Sequence, residues 1–414
     1  MEKEKIILHS DLNNFYASVE CILNPELKGK YVAVCGNKEE RHGIVLAKNG
    51  PAKAKGVKTG EAIWEAKKKC PDLIVVPPTF GEYAKYSKIV HSIYQRYTNQ
   101  IEPFGMDECW LDVTGSTRLF GSGVSIAHSI RKAVKEETGL TVSVGVSFNK
   151  IFAKLGSDMK KPDAVTVITK DNFKSTVWPL DSCELLGVGR ATYKKLCSLG
   201  IYTIGDIANS PVNFLKEKLG KFGVMLHNYA NGLECENVAH QDYVSVAKSI
   251  GHGTTCTEDL YTELEVKNVI MYLLQEVSHR LRSIGAKAGG IALTIKYNDL
   301  KSHDCQCALE SPTVSMRTMC QYAMMLFKQN RKGNLPVRAV TVRAINLVYE
   351  SYGNQTSLFF DAVKEEKESK AEDTMESINN RFGFSTVKYA SVLENNKIPK
   401  GEKKELFLPK GTNI

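Results

Sequence analysis

The hydrophobic and polar positions of residues 1–165 alternate between strand-like and helix-like segments. Residues 5–10 form a short apolar run that predicts a buried strand ending at Asp11, and the apolar spacing of the following LNNFYASVE predicts a helix. Further strands are predicted at residues 104–113 and 141–147, with a periodic helix at residues 123–137 between them. This part of the chain is therefore expected to be mixed α/β.

Residues 178–232 carry a shorter helical pattern that is punctuated by glycine. Gly187 and Gly189 flank a predicted hairpin between two helices, Gly200 closes the second helix, and LGKFG at 219–223 is a looser example of the same pattern. This arrangement is typical of a helix-hairpin-helix, whose exposed backbone N–H groups bind phosphate without reading a base. We therefore expect Gly187 and Gly189 to contact DNA.

After a polar stretch at residues 233–242, the periodicity switches regularly between strand and helix. The predicted order is β-α-β-β-α-β, with segments at 244–256, 262–284, 289–297, 303–310, 313–330 and 337–348. Residues 243–350 hold 13 Lys and Arg against 9 Asp and Glu, a net charge of +4. We expect a basic sheet face that contacts DNA through Lys248, Arg338 and Arg343.

The remaining composition excludes several classes of protein. Beyond residue 351 the chain is polar, and residues 361–380 hold 7 acids against 3 lysines, which predicts a weakly ordered extension. The 11 cysteines are scattered, and Cys305 and Cys307 lack the paired spacing of a zinc site or disulfide framework. No apolar run has the length of a signal peptide or membrane span. We expect a multidomain, soluble, cytoplasmic protein that does not bind membranes.

Three carboxylates have the placement that metal-assisted phosphoryl transfer requires. Asp11 follows the first predicted strand, and Asp107 and Glu108 interrupt the apolar frame of the second, FGMDECWLDV. An Asp-Glu doublet is usually a solvated turn, but buried acids are costly unless a metal or cations compensate their charge. If the strands are neighbours, the three side chains suit two Mg²⁺ ions that activate an attacking oxygen and neutralise a leaving group.

Three segments carry a resemblance to a known family. SDLNNFYASVE at 10–20, GMDECWLDVTG at 105–115 and SVGVSFNKIFAKLGSDMKKPD at 143–163 resemble the signatures of the Y-family, or DinB/UmuC, translesion DNA polymerases. The resemblance implies an α+β right-hand polymerase that adds deoxynucleotides to a primer with low fidelity, in DNA repair and the SOS response. The implied domains are palm (1–10 and 78–166), fingers (11–77), helix-hairpin-helix thumb (167–232), linker (233–242), βαββαβ little finger (243–350) and tail (351–414).

The resemblance also assigns roles to the active-site residues. Asp11 and Asp107 are expected to hold both Mg²⁺ ions, Glu108 the catalytic ion, and the Leu12 carbonyl to complete the nucleotide-bound site. Tyr16 falls at the steric-gate position, where a ring beneath the incoming sugar excludes a 2′ hydroxyl. Without the motif, the simpler interpretation is that Phe15 and Tyr16 are aromatic residues of the hydrophobic core.

Two lysines match positions that bind the incoming nucleotide in the family. Lys161 matches the triphosphate-binding lysine, and Lys53 matches a position that is arginine in the DinB branch. Either would otherwise be an ordinary surface lysine. The fingers segment at 47–60 has Gly50 where DinB enzymes have tyrosine, so it looks closer to the UmuC branch, as does the C-terminal extension.

The expected partners are primer-template DNA, deoxynucleoside triphosphates and a bacterial sliding clamp. Gln355, Leu358 and Phe359 lie in a segment that resembles the Gln-x-x-Leu-Phe clamp-binding peptide. We expect a monomer, to which accessory subunits could bind. Two other functions remain open from the residues: a catalytically silent DNA-binding or clamp-associated scaffold, and a metal-dependent nuclease.

Overall fold

The computed structural model describes residues 4–39, 41, 43–234, 236–349, 362–383, 386–387 and 397–399, with only the backbone at 362–369 and 380. The chain divides into two compact units, one holding most of the chain up to Ser245 and the other most of it from Val246 onward. None of the described helices is long and apolar enough to cross a membrane. Each unit is described by itself below.

The first unit contains two sheets and a set of mostly short helices. Its strands are β1 (Ile7–Leu12), β2 (Val32–Cys35), β3 (Val45–Lys48), β4 (Ile74–Val76), β5 (Ile101–Pro103), β6 (Glu108–Asp112), β7 (Val142–Ser147) and β8 (Val165–Val167). Its helices are α1 (Phe15–Leu23), α2 (Gly50–Ala54), α3 (Ile63–Lys69), α4 (Phe80–Tyr94), α5 (Thr117–Phe120), α6 (Gly123–Thr138), α7 (Lys150–Met159), α8 (Phe173–Val177), α9 (Arg190–Ser198), α10 (Ile204–Asn209), α11 (Val212–Leu219) and α12 (Lys221–Ala230). The predicted mixed α/β character is thus confirmed.

The larger sheet has the strand order β5-β6-β1-β7-β8. Its central strand β1 pairs antiparallel with both β6 and β7, and all six of its residues are buried. Apolar side chains of β1, β6 and β7 form one core with α4 and α6, whereas α7 lies against β1 and β7. The smaller sheet, in the order β3-β2-β4, has a separate small core.

Two predicted boundaries near the carboxylates are wrong. The strand predicted to end at Asp11 continues one residue further, to Leu12, because that end also pairs with β7. The strand predicted at 104–113 is present only as β6, because residues 104–107 form the turn that joins β5 to β6, in which Gly105 has a φ of 91°. A positive φ is costly for residues with a Cβ, so glycine permits this turn immediately before Asp107.

The glycine-punctuated segment is helical, but its first hairpin differs from the prediction. The element before Gly187 is a single 3₁₀ turn, Ser182–Glu184, rather than a full helix. Gly187 has a φ of 96°, Gly189 caps the start of α9, and Gly200 follows its end. The second, looser hairpin that was predicted at residues 219–223 is present, because α11 and α12 meet at Gly220.

The second unit confirms the predicted β-α-β-β-α-β order. Its elements are β9 (Ile250–Leu260), α13 (Glu263–Ser283), β10 (Ala286–Tyr297), β11 (Ser302–Thr313), α14 (Met316–Asn330), β12 (Val337–Tyr349) and α15 (Ala362–Phe382). The sheet order is β11-β10-β12-β9, and α13 and α14 cover one face over a single apolar core. Strand β9 begins six residues later than predicted, and α14 begins only at Met316 because β11 continues to Thr313.

The prediction of a weakly ordered tail is wrong for the part that forms α15. Glu372 is buried and accepts hydrogen bonds from the Met316 backbone N–H at the start of α14, at 3.1 and 3.2 Å. The Arg282 guanidinium contacts Glu372 at 3.0 Å and Asp373 at 2.9 Å. Ile398 joins the core of the same unit. The acids that seemed unable to build a core are therefore held by a helix N-terminus and an arginine.

Candidate active site

The register of the central sheet brings the three predicted carboxylates to one place. Asp11 on β1 lies directly opposite Glu108 on β6. Asp107 precedes β6, and its carbonyl accepts a hydrogen bond from the Leu12 N–H at 2.9 Å. All three side chains line a single cleft of about 780 Å³ together with Leu12. Two distant segments of the chain thus place acids on one wall of one cavity.

The two aspartates share an environment that disfavours their charges. Burial raises the pKa of Asp11 to about 6, against the opposing effect of Lys161. Burial, together with the nearby charges of Asp11 and Glu108, raises the pKa of Asp107 to about 6. Such shifts indicate that the cleft lacks enough positive charge from the protein to balance its acids.

Glu108 has the opposite electrostatic character. Burial acts to raise its pKa, but contacts with His9 and Lys154 outweigh burial and lower the pKa to about 2. His9 Nε2 lies 3.3 Å and Lys154 Nζ 2.5 Å from Glu108 Oε2. Burial lowers the pKa of His9 to about 4, so its ring is neutral at pH 7. Glu108 therefore stays ionised when the two aspartates are partly protonated.

A chain of alternating charges connects the two ends of the acidic wall. Lys154 also contacts Asp158 at 3.3 Å, and Asp158 contacts Lys161 at 2.8 Å. Lys161 then donates to Asp11 Oδ2 at 2.7 Å. Sequence reasoning identified Lys161 but missed Lys154 and Asp158. Their spacing of four residues on α7 would have placed them on one helix face, although nothing local links that face to Glu108.

The donor set fits divalent cations that are shared with a substrate. No cluster of three or more Asp, Glu, His or Cys side chains surrounds one point among the described residues, so the protein alone forms no complete cage. Glu108 Oε2 is buried, and its charge is balanced by Lys154 Nζ at 2.5 Å. Mg²⁺ is commonly held by one or two carboxylates plus waters and phosphates. The residues present are therefore compatible with a metal site whose remaining ligands are supplied by a bound nucleotide.

The predicted gate residue is held by neighbouring aromatic rings. Tyr16, near the start of α1, stacks on Tyr83 with ring centroids 4.2 Å apart and planes 9° apart. Its hydroxyl approaches Met106 sulfur at 3.6 Å, and Phe80 packs edge-on at 6.0 Å. Tyr83 in turn donates a hydrogen bond to the buried Glu20. The Tyr16 ring is thus fixed in orientation at the wall of the cleft.

The other predicted nucleotide contacts also line this cleft, from two sides. Lys161 lies beside the carboxylates, whereas Lys53 on α2 lines the wall formed by the small sheet. Phe15 reaches the cleft but is mostly in the core, with 3% of its surface exposed. Lys48, at the end of β3, lines the same wall as Lys53 and was missed by sequence reasoning. It gave no motif signal, since an isolated lysine at a strand end is usually solvated.

Three family models match the chain. Residues 10–158 match the impB/mucB/samB family, residues 247–358 its C-terminal domain, and residues 184–234 the thumb domain of DNA polymerase iota. A DNA polymerase IV of Acetivibrio thermocellus is 47% identical over 391 residues, covering 94% of this chain and 98% of that protein. The chain belongs to the Y family of DNA polymerases.

Other relatives agree with this assignment. DNA polymerase IV 1 of Bacillus subtilis is 34% identical and covers 100% of this chain and 97% of that protein. A Y-family DNA polymerase chimera of known structure superposes with a TM-score of 0.73 at 26% identity, covering 83% of this chain and 99% of its own. The DNA polymerase IV names favour a DinB-like member of the Y family, although the fingers segment and tail indicated the UmuC branch.

The residues predicted to contact DNA are distributed over both units. Gly189 lies in open space, but a Cβ on Gly187 would meet the Phe222 ring at 3.2 Å, so Gly187 also has a packing role. Lys248 is exposed and precedes β9, outside the strand predicted to contain it. Arg343 is exposed on β12 between two buried residues, which places it on the sheet face opposite α13 and α14, whereas Arg338 is half-buried. The clamp peptide, Gln355 to Phe359, lies outside the described residues.

Proposed function

We propose that this Y-family polymerase extends primers in a template-directed reaction, in translesion synthesis, through the cleft described above. The observation that carries the proposal is the β1–β6 register, which sets Asp11 opposite Glu108 with Asp107 adjacent. The cleft they line also contains Tyr16, the predicted sugar gate, and Lys161, a cation suited to a triphosphate.

Asp11 and Asp107 would hold two Mg²⁺ ions, with Glu108 on the catalytic ion and the Leu12 carbonyl on the nucleotide-bound one. When bound, the ions activate the primer 3′ hydroxyl and neutralise charge on the triphosphate. The raised pKa values of the two aspartates support this role, because a cation would restore their ionised forms.

The remaining residues of the cleft would bind and orient the nucleotide. Lys161 and Lys53 would bind the triphosphate from opposite walls, and Phe15 would pack behind the Tyr16 gate. For DNA, we propose contacts from Gly187 and Gly189 to phosphate, and from Lys248, Arg338 and Arg343 on the second unit. We also propose the palm, fingers, thumb, linker and little-finger boundaries stated from the sequence.

The direct test is primer extension by the purified full chain. A labelled primer on an undamaged template should lengthen with Mg²⁺ and the complementary deoxynucleotides, and not with Mg²⁺ alone. Shortening of the primer would indicate a nuclease instead. DNA binding without any change in length would indicate the silent scaffold, and both results would contradict the proposal.

Replacing the Tyr16 ring should remove sugar selectivity. Tyr16→Ala is expected to raise ribonucleotide incorporation relative to deoxynucleotide incorporation by roughly 100-fold, since space for a 2′ hydroxyl opens where the ring stood. The measurement is the ratio of kcat/KM values for a matched ribonucleotide and deoxynucleotide. Tyr16→Phe keeps the stacking on Tyr83 and serves as the control. An unaltered ratio in Tyr16→Ala would remove Tyr16 from the gate role.

For the sliding clamp, we propose binding through Gln355, Leu358 and Phe359. Changing Leu358 and Phe359 together to alanine should lower clamp affinity at least about 100-fold, because these apolar anchors would fill the pocket. A binding titration with a bacterial clamp measures the loss, and synthesis without the clamp should be unaffected. The exposed Leu300, remote in sequence, supplies a matched Leu300→Ala control. If the double variant bound the clamp with the same affinity as the wild type, this peptide would not be the clamp-binding segment.

The cellular setting is also part of the proposal. We place the activity in the cytoplasm, where bacterial DNA is replicated, and assign it to damage tolerance and the SOS response. The chain would act as a monomer on primer-template DNA. An extension assay that succeeds only when a further protein is added would instead indicate an obligatory accessory subunit.

A further inference from the structure

Strand β3 carries a lysine into the nucleotide cleft that no family motif accounts for. The β2–β3 register pairs Lys48 with Ala33, and Val45 at the other end of the strand is buried in the core of the small sheet. Lys48 is half-buried at the end of β3 and lines the same cleft as Asp107 and Tyr16. Its backbone position is therefore fixed by a packed sheet rather than by a surface loop.

The ammonium group of Lys48 is hydrogen-bonded to a neutral partner. Its Nζ donates to the Thr59 hydroxyl at 2.8 Å, and Thr59 also lines the cleft. Lys161 differs, because its Nζ lies between the carboxylates of Asp11 and Asp158. An ammonium has three N–H donors, so one bond to a hydroxyl leaves Lys48 able to bind an anion.

Positive charge is concentrated on this wall of the cleft. Burial lowers the pKa of Lys48 and the neighbouring Lys53 lowers it further, while the more weakly acting Glu61, which does not line the cleft, opposes them. The wall is also open at Gly50, where a Cβ would meet no atom within 4 Å. These two lysines repel each other at the edge of an open cavity. A polyanion bound between them and the opposite wall would offset that electrostatic repulsion.

We propose that Lys48 binds the triphosphate of the incoming deoxynucleotide and contributes to selection of triphosphates over shorter phosphates. The ammonium would turn from Thr59 to a phosphate oxygen, with no covalent step. Lys48 and Lys53 would then face the triphosphate from the small-sheet wall, and Lys161 from the palm wall. This inference rests on the proposed polymerase function and adds a residue to it.

The test compares Lys48→Met with a matched control on the same segment. Lys58 is exposed and does not line the cleft, so Lys58→Met removes an equal charge from the fingers surface. In primer extension, Lys48→Met should raise the KM for deoxynucleotide about 10-fold, the typical effect of one charge-assisted hydrogen bond near solvent. Its kcat and its primer-template affinity should stay within about twofold of wild type, as should every constant of Lys58→Met.

A second measurement separates a phosphate contact from a structural role. Deoxynucleoside diphosphate and triphosphate are compared as ligands of the enzyme-DNA complex, and the wild type should prefer the triphosphate. That preference should fall about 10-fold in Lys48→Met and be retained in Lys48→Arg, which keeps the charge. Equal weakening of both ligands, or an unchanged KM in Lys48→Met, would overturn the proposal. A wild type that fails to extend primers would instead contradict the proposed function itself.

Discussion

Asp107→Asn is expected to lower kcat for nucleotide addition about 1,000-fold or more, because a neutral amide would replace a carboxylate of the proposed cation site. Asp107 is adjacent to both other acids, directly before Glu108 on β6 and hydrogen-bonded through its backbone to the residue after Asp11. Single-turnover primer extension at saturating deoxynucleotide measures the loss. DNA affinity should hardly change, since Asp107 contributes no positive charge.

The same substitution should not destabilise the metal-free protein. The pKa of Asp107 is raised to about 6 in the folded state, above its ordinary value, so its ionisation disfavours folding as pH rises through this range. At pH 7 the full penalty applies, and removing it with asparagine should raise the free energy of unfolding by up to about 3 kcal/mol. The gain should disappear below about pH 4, where the wild-type carboxyl is protonated in both states.

Asp72→Asn is the matched control, because Asp72 is an exposed carboxylate in the turn before β4. It should leave both extension and unfolding unchanged. Extension by Asp107→Asn at the wild-type rate would refute the assigned metal role. Lower stability without loss of extension would show that Asp107 is a structural residue.

Gly145→Ala is expected to lower the free energy of unfolding by about 3 kcal/mol or more, through steric overlap between β7 and α7. A Cβ at Gly145 would lie 1.9 Å from the Ala153 carbonyl oxygen and 2.6 Å from the Ser157 backbone nitrogen. These are backbone atoms, so no side-chain rotation relieves the overlap and α7 must shift. Denaturant titration with a constant m-value measures the change.

A shift of α7 should also reduce catalysis. The helix carries Lys154, which contacts Glu108, and Asp158, which contacts Lys161. Gly81→Ala is the control, since Gly81 lies in the first turn of α4 and a Cβ there would meet no atom within 4 Å. It should be neutral or stabilise by up to about 1 kcal/mol. Near-equal stability of Gly145→Ala and wild type would show that the β7–α7 contact can relax.

Much of the fold was predictable because its elements depend on local patterns. The periodicity of residues 262–284 and 337–348 predicted α13 and β12 to within a residue or two, since these segments pack one apolar face on a core. The predicted ends of elements were wrong where a turn glycine or pairing with another strand set the end of the element. The turn at Gly105 removed residues 104–107 from a predicted strand, and pairing with β7 extended β1 to Leu12.

The tail shows why composition alone misled. An acidic segment without compensation stays disordered in water, and the composition of the tail does not show what compensates Glu372. The compensation comes from Arg282 and the start of α14, which only the folded second unit brings near. A contact between segments so far apart depends on how elements pack, which periodicity does not encode.

The sequence by itself determined which residues are predicted to carry the chemistry, because Asp11, Tyr16, Asp107, Glu108 and Lys161 lie in contiguous motifs. Only the tertiary structure decided which other side chains act on them. His9 and Lys154 meet Glu108, Tyr83 stacks on Tyr16, and Lys48 enters the cleft, through strand register and helix packing. A motif shows which residue types are present along the chain. Burial and charge interactions depend on distances between side chains, and these distances exist only in the folded protein.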